Sequence, residues 1–319
     1  MIEDIALTPQ EVADILKIAK NTVYELIKRG ELNGYKVGKK IRVDFSDVEE
    51  YKNKTKHKEI NISKPSNDEF SLYNNCSNHS ENIHNNDFVI CGQDILLDIL
   101  SRYLELHPQG VHPLRSYTGS YNGLTSLYHD KVQVATAHLW DSDSDQYNIP
   151  YIRRLIPGIP TVVINIAYVM LGFYVIKGNP KKISSWEDLK RQDIKILNRE
   201  KGSGTRILLD EHLRLLDIDS NSINGYNDEC LTHLAAASTV ARGGADVALG
   251  NEKTSFQVSN VDFIPLAREK YDLVIKKSNL NKPPFKAIIE ILKSESFKRE
   301  LIGIGGYDIS SIGSIVTEL

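Results

Sequence analysis

The residues best suited to chemistry lie in the stretch 198–210, NREKGSGTRILLD. It follows the apolar, β-branched run IKIL and precedes apolar residues at helical spacing, so a strand, a tight turn and a helix start are expected. Gly202 and Gly204 open backbone angles closed to other residues and leave room for close approach. Ser203 and Thr205 add hydroxyls at the positive end of the helix dipole, with Arg206 beside them. Such a turn suits an anion; a purely structural strand-to-helix connection is the plainer use of a G-x-G pair. Two nucleotide patterns are excluded. The P-loop needs a lysine after its glycines, where Lys201 comes before them, and the dinucleotide fingerprint needs a third glycine where Ile207 stands.

The layout recurs twice. Residues 88–100, FVICGQDILLDIL, read as a buried strand, a turn at Gly92, Gln93 and Asp94, and a helix. In residues 111–130, VHPLRSYTGSYNGLTSLYHD, Ser116, Thr118, Gly119, Ser120 and Gly123 sit where a strand hands over to a helix N-terminus. Three converging sets of amide and hydroxyl donors can hold a desolvated dianion without a formal countercharge.

These turns need a scaffold, and the chain has room for one. Its 319 residues allow two or three domains, and 41% hydrophobic with 25% charged residues is ordinary for a soluble protein. A net charge of -3 argues against wholesale nucleic-acid coating but leaves room for a local basic module. Cys76, Cys91 and Cys230 are odd in number and far apart, which fits a reducing compartment, by default the cytoplasm, and offers no zinc ligand set. The N-terminus MIEDIALTPQ is acidic and has no secretory pattern. The longest apolar stretch, residues 159–176, is interrupted by Pro160, Asn165 and Gly172; its Val, Ile and Tyr content reads as two consecutive buried strands, not a membrane span.

Texture changes once. Residues 53–86 are rich in Asn, Ser, Lys and His and poor in apolar periodicity, so we expect a flexible linker over 55–86 between a small head, 1–54, and a body, 87–319, of alternating strands and helices. In the head, Thr8, Pro9 and Glu11 predict an N-cap, an N1 proline and a capping box, followed by Val12, Ala13, Ile15 and Leu16 on one face. A second helix over 20–29 buries Val23, Leu26 and Ile27 and ends at Gly30. Residues 34–43, GYKVGKKIRV, read as two short strands, and Ser46 with Glu49 caps a last helix.

The pattern LTPQEVADILKIAKNTVYELIKRGELNGYKVGKKIRV resembles the excisionase-type winged helix-turn-helix family related to the MerR regulators. Ala19 stands where that family often has a serine N-cap. Lys17, Lys20, Lys28, Arg29, Lys36, Lys39, Lys40 and Arg42 outnumber Glu25 and Glu31 across the module. The resemblance implies DNA as a partner. Lys20, Asn21, Thr22, Tyr24 and Lys28 of the second helix would reach base edges or nearby phosphates, and Lys39, Lys40 and Arg42 of the wing the backbone. A protein-docking module with a solvated basic surface is the alternative.

The body, through CGQDILLDIL, TGSYNGLTSL, AHLWDSDSDQYNIPYIRRLIPG, KGNPKKISSWEDLKRQDIKILNREKGSGTRILLDEHL, THLAAASTVARGGADVALG and FIPLAREKYDLVI, resembles the periplasmic-binding-protein-like domain related to molybdate- and tungstate-binding proteins. The implied fold class is α/β, a bilobal type II periplasmic-binding-protein-like body with an N-terminal winged helix-turn-helix head. Lobe one is 87–168 plus 267–319, lobe two 169–266, and the ligand sits between them. Gln93 replaces a serine of the family's turn, exchanging a hydroxyl for a longer amide. Arg206 either points at the anion or pairs with Asp210 one turn on. His138 and His233 fall beside the cleft, as anion contacts or as packing residues.

DSDSDQY, residues 141–147, begins like a calcium loop, but Gln146 and Ile152 replace the required Gly and Glu, so a solvated turn is expected. His107 and His112 have no third ligand, and Asp246 reads as structural; no metal and no cofactor is assigned. The expected function is a ligand-responsive transcription regulator that senses a small oxyanion such as molybdate or tungstate, acts as a homodimer and is not an enzyme. Alternatives are a molybdenum-cofactor-related enzyme or accessory protein, or an excisionase-like DNA architectural protein.

Overall fold

In the computed structural model, which describes residues 6–38, 40–56 and 87–319, the chain divides into two units, residues 1–78 and 79–319. Most of the expected linker, and Lys39 of the wing, lie outside the described residues.

The first unit holds β1 (Ala6–Leu7), α1 (Pro9–Leu16), α2 (Lys20–Lys28), β2 (Tyr35–Val37), β3 (Lys40–Asp44) and α3 (Phe45–Lys56). Thr8 caps α1 as expected: its hydroxyl accepts from the Glu11 amide and the Glu11 carboxylate accepts from the Thr8 amide at 2.7 Å. Ala19 caps α2 with no side-chain hydrogen bond. Gly30 ends that helix with φ +73, an angle that favours glycine. Val12, Ala13, Val23, Leu26, Leu32, Val43 and Val48 form the core. Strand β3 is central to a three-stranded sheet, pairing with β2 and with β1, a strand too short to show a period. Helix α3 already includes Phe45, so Ser46 stands in its first turn and not at its cap.

The second unit begins with β4 (Phe88–Cys91), α4 (Leu96–Leu106), β5 (Pro113–Ser116), α5 (Ser120–Tyr128), β6 (Val134–Ala137), the hairpin β7 (Trp140–Asp141) and β8 (Gln146–Tyr147), and α6 (Ile149–Leu155). Strand β9 (Thr161–Ile176) follows, then β10 (Ile196–Arg199), α7 (Gly204–Leu215), β11 (Glu229–Cys230), α8 (His233–Ala241), β12 (Val247–Asn251) and α9 (Glu252–Ser255). Strand β13 (Val261–Lys276), α10 (Pro283–Lys293), α11 (Glu295–Ile304) and β14 (Ile315–Glu318) complete it.

The apolar stretch expected to make two strands makes one, β9, of 16 residues. It pairs antiparallel with β13 along nearly its whole length, and a register shift between Pro265 and Ala267 falls opposite Gly172 and Leu171. A β-carbon on Gly172 would lie 2.1 Å from the Ile264 carbonyl oxygen, so glycine here permits close strand approach and does not end the strand. Asn165 stays in the strand because its amide donates to the buried Asp272 carboxylate at 3.0 Å.

The sheet order is β11-β10-β12-β9-β13-β6-β4-β5, with β14 on β9. Each end of the long β9–β13 ribbon serves a different core. Val162, Ile164, Ile166, Leu273 and Ile275 pack with α4, α10 and α11; Val163 and Val274 lie on the opposite face with α5. Leu171, Phe173 and Val175 pack with Leu208, Leu209 and Leu213 of α7, and Tyr174 lies on the other face against α8. Both faces are covered, so the strands read as continuous apolar runs.

Candidate functional site

Two of the three glycine turns meet. The Tyr121 amide, in the first turn of α5, donates to the Gly202 carbonyl at 3.1 Å. A β-carbon on Gly119 would lie 2.5 Å from that oxygen, and one on Gly202, whose φ is +90, would lie 2.9 Å from the Asn122 side chain. Gly119 is therefore needed for backbone-to-backbone approach between a turn at one end of the β9–β13 ribbon and a turn at the other, while Gly202 is held to glycine by its positive φ and the Asn122 side chain.

Around this junction lie buried donors. Ser203 caps α7, its hydroxyl accepting from the Arg206 amide at 3.2 Å. Thr205 is 1% exposed, and its Oγ1 has no hydrogen-bond partner. Among the described residues, the backbone N–H groups of Ser120, Gly204 and Thr205, all in buried residues, donate to nothing. These are first-turn positions of α5 and α7, whose N–H groups have no partner within their own helix, so they are open to an acceptor from outside it. The Ser120 hydroxyl accepts from the His138 amide at 3.3 Å, and Thr118 Oγ1 lies 2.7 Å from Cys91 Sγ. Ser116, one strand end away, accepts the Gly92 amide on its carbonyl at 2.9 Å.

The third turn contributes bridges. Gln93 accepts from Arg199 Nη2 at 2.6 Å and donates to Glu200 at 2.8 Å, so both ends of its amide are used. Asp94 is not available to a ligand. Its carboxylate holds Lys253 Nζ at 2.5 Å, accepts the Tyr307 hydroxyl and accepts the Leu96 amide at 2.9 Å. Burial alone would raise this carboxyl, but Lys253 and these hydrogen bonds hold it below its ordinary range. Arg206 takes the second of its two alternatives. Its guanidinium pairs with Asp210 at 3.3 Å and Glu229 at 3.2 Å, donates to the Arg199 carbonyl and lies 4.2 Å over the Tyr226 ring. A helical arginine with an aspartate one turn on and an acidic neighbouring strand end is drawn to them and away from the turn.

Several residues here escaped sequence reasoning. Arg199 is 2% exposed, with Nη1 3.3 Å from His233 Nδ1 and Nε 2.9 Å from Glu200. A guanidinium only donates, so Nδ1 accepts and the His233 ring is neutral. Burial, with Arg199, His138 and Lys253 nearby, pushes the His233 pKa well below its ordinary value. Glu269, on β13, sits 3.1 Å from His138 Nδ1 through Oε2; it is 4% exposed, and its Oε1 has no partner. The His138 ring lies against Gly204, where a β-carbon would come within 2.6 Å. The only signal for Arg199 was a basic residue ending an apolar strand, and for Glu269 and Lys253 there was none in spacing, because each comes from a distant segment.

A second clasp lies beside the first. Trp140 of the β7–β8 hairpin stacks on His212 of α7 with centroids 4.7 Å apart, His212 stacks on Trp186 at 4.1 Å, and Arg214 pairs with Asp143 at 2.6 Å. The expected solvated turn at DSDSDQY is this hairpin, with Asp141 accepting from Ser144 and pairing with Arg154. Asp246 accepts the Lys195 amide at 2.8 Å and pairs with Lys181, a structural role. His107 and His112 pair with Glu290 and Glu105, and no group of metal-binding side chains occurs among the described residues. No described helix is long and apolar enough to cross a membrane.

In the first unit, Lys20, Asn21, Thr22, Tyr24, Lys28 and Lys40 are exposed and Arg42 is half-buried, with Nη1 on the Ile41 carbonyl at 3.3 Å. At about 100° per residue, Lys20, Tyr24, Lys28 and Asn21 share one arc of α2 opposite Val23 and Leu26, and Thr22 falls outside it. Lys36 and Lys40 flank the hairpin tip.

Comparison with known proteins agrees with both units. A family model described as a helix-turn-helix domain matches residues 6–56, and one described as a PBP superfamily domain matches residues 101–293. YvgK of Bacillus subtilis (strain 168) is 42% identical over 318 residues, 100% of each chain. A Clostridium pasteurianum protein from the 5' region of a ferredoxin 2Fe-2S gene is 64% identical over 113 residues, 35% of this chain and 100% of that one. Among solved structures, a phosphate ABC transporter substrate-binding protein with bound phosphate from Clostridium perfringens aligns at TM-score 0.51 and 15% identity, covering 70% of this chain and 99% of its own. A Corynebacterium glutamicum OxyR mutant bound to hydrogen peroxide aligns at TM-score 0.50 and 13% identity, covering 93% and 89%. The helix-turn-helix domain implies DNA binding and the larger domain small-ligand binding: by fold and family model alike, the chain carries an N-terminal helix-turn-helix domain and belongs to the PBP superfamily.

Proposed function

We propose that the protein is a ligand-responsive transcription regulator whose larger domain senses a small oxyanion and whose head reads DNA. The observation that carries this reading is the junction of the α5 and α7 N-termini, where Ser120, Gly204 and Thr205 leave backbone donors unused and the Thr205 hydroxyl has no partner. Helix N-termini favour negative charge, and an oxyanion offers the acceptors these groups lack. Molybdate and tungstate are the first members to test. Because the donors come from both ends of the β9–β13 ribbon, ligand binding favours the closed arrangement of the lobes, and that differential affinity drives the response. The exposed arc of Lys20, Asn21, Tyr24 and Lys28 enters the major groove, and a homodimer in the cytoplasm presents two such arcs to paired half-sites. Both domains act by binding and not by catalysis.

The test is thermal unfolding of the full chain with tungstate, molybdate, sulfate, phosphate and small organic acids, followed by fluorescence anisotropy on DNA upstream of its own gene with and without any stabilising compound. A ligand at 100 times its Kd stabilises the native state by about 2.7 kcal/mol. Stabilisation by an oxyanion that also changes DNA affinity supports the reading; stabilisation without any change in DNA affinity removes the regulatory part.

A further inference from the structure

The β7–β8 hairpin joins two cores that lie at opposite ends of the β9–β13 ribbon. Leu139, at its base, is buried in the core beneath α5, whereas the next residue, Trp140, packs against the core of Leu171, Phe173 and Leu208 at the other end. The exchange is reciprocal. Leu208 of α7 belongs to that second core, and its neighbour Ile207 packs against the core beneath α5.

Both sides of this exchange are firmly rooted. The Leu139 amide donates to Asn148 Oδ1 at 2.7 Å, and Asn148 Nδ2 donates to the buried Asp272 carboxylate at 2.8 Å, which ties the base of the hairpin to β13. The Trp140 indole N–H donates to Asp145 at 3.0 Å, so the ring is held within its own hairpin. Beyond it, Trp140 stacks on His212 and His212 on Trp186, and Trp186 meets Phe173 of β9 edge to face with centroids 5.2 Å apart. Ser142 donates to Glu211, and Arg214 of α7 reaches both Ser142 and Asp143.

The two ends of the ribbon cannot part on this side without pulling an indole off an imidazole and exposing Trp140 and Ile207 to water. Buried aromatic rings carry much of the free energy of the contacts they fill, and stacked pairs add to it. We infer that the β7–β8 hairpin is a latch: Trp140 and Ile207, each seated in the opposite core, hold the two ends of the ribbon together, and their release sets how readily the α5–α7 junction opens. The latch is made of the chain's own side chains and goes beyond the oxyanion reading. Its regulatory consequence rests on that reading: a ligand at the junction adds to an association the latch already favours, so the strength of the latch tunes ligand affinity.

Native-state hydrogen exchange on the full chain, read at single amides, tests this. The Tyr121 amide, bonded across the junction to the Gly202 carbonyl, reports parting of the two ends, and the Val163 and Val175 amides of β9 report each core by itself. Trp140→Leu, and from the other side Ile207→Ala, should each speed exchange at Tyr121 by about tenfold or more while leaving Val163 and Val175 unchanged. Alanine is the better helix former, so Ile207→Ala removes the contact without fraying α7, and it decides alone if Trp140→Leu does not fold. Unchanged exchange at Tyr121 in a folded variant overturns the latch and reduces the hairpin to local packing. Equal acceleration at all three amides overturns it as well, because the substitution then loosens a core as a whole. No ligand enters the measurement, so failure of the latch leaves the oxyanion reading standing, and failure of that reading in ligand titrations leaves the exchange result to decide the latch.

Discussion

Replacing Gly119 by alanine tests how the two turns are held together. The new β-carbon would lie 2.5 Å from the Gly202 carbonyl oxygen and 2.6 Å from the Ser203 α-carbon, both backbone atoms that no side-chain rotation can move away. Ordinary carbon contacts lie at about 3.5 Å or more, so the turns must part by about 1 Å. That strains or breaks the hydrogen bond from the Tyr121 amide to Gly202, 3.1 Å in the wild type. Overpacking of this kind costs about 1–3 kcal/mol and the lost hydrogen bond about 1 kcal/mol, for a total near 2–4 kcal/mol against the contact between the two turns. Since about 1.4 kcal/mol is tenfold, the Tyr121 amide should exchange with solvent about 30- to 700-fold faster. Native-state hydrogen exchange read at single-amide resolution measures this, with the amides of α1 and α2 as an internal control that should not move. Unchanged protection at Tyr121 in a folded Gly119→Ala variant would refute the close-approach argument.

Three other perturbations follow from the same geometry. Ala19→Ser should supply the hydroxyl cap that α2 lacks and stabilise the head by about 1 kcal/mol, seen as a higher melting temperature of that unit; no gain would mean the α2 N-terminus is already satisfied. Lys253→Met should cost the larger domain about 3–5 kcal/mol in urea unfolding, because it leaves the Asp94 carboxylate buried without its cation. The His233 pKa is lowered from an ordinary value of 6.5, so the folded state resists a proton that the unfolded chain accepts. Stability is therefore complete above pH 6.5 and declines as pH falls below it, by about 1.4 kcal/mol per pH unit until the folded pKa is reached. Urea unfolding at pH 8 and pH 5 should show this loss in the wild type and a smaller one in His233→Gln, and equal losses would assign the decline to other groups.

The parts of this protein legible in its sequence are those decided within a few residues. The Thr8–Glu11 capping box, the left-handed Gly30 and the buried stripe of Val23 and Leu26 depend on neighbours three or four positions away, and that is where their signal lies. The handover from strand to turn to helix at Gly202–Thr205 was legible for the same reason. Local reasoning failed where a partner came from elsewhere. Gly172 and Asn165 look like strand breakers until the β13 bulge and Asp272 are placed opposite them. Asp94 and Arg206 look like ligand contacts until Lys253 and Glu229 arrive to neutralise them.

What the sequence by itself determined was a capped helix-turn-helix head with a basic surface and a set of glycine-opened helix N-termini, because backbone freedom, capping and amphipathic spacing are local properties. What only the tertiary structure decided was which of the polar groups at those turns remain free. Whether a buried charge is spent or unspent depends on what packs against it, and Glu269, contributed by a strand more than sixty residues beyond the GSGT turn, is left unspent only because the fold brings His138 to one of its oxygens and nothing to the other.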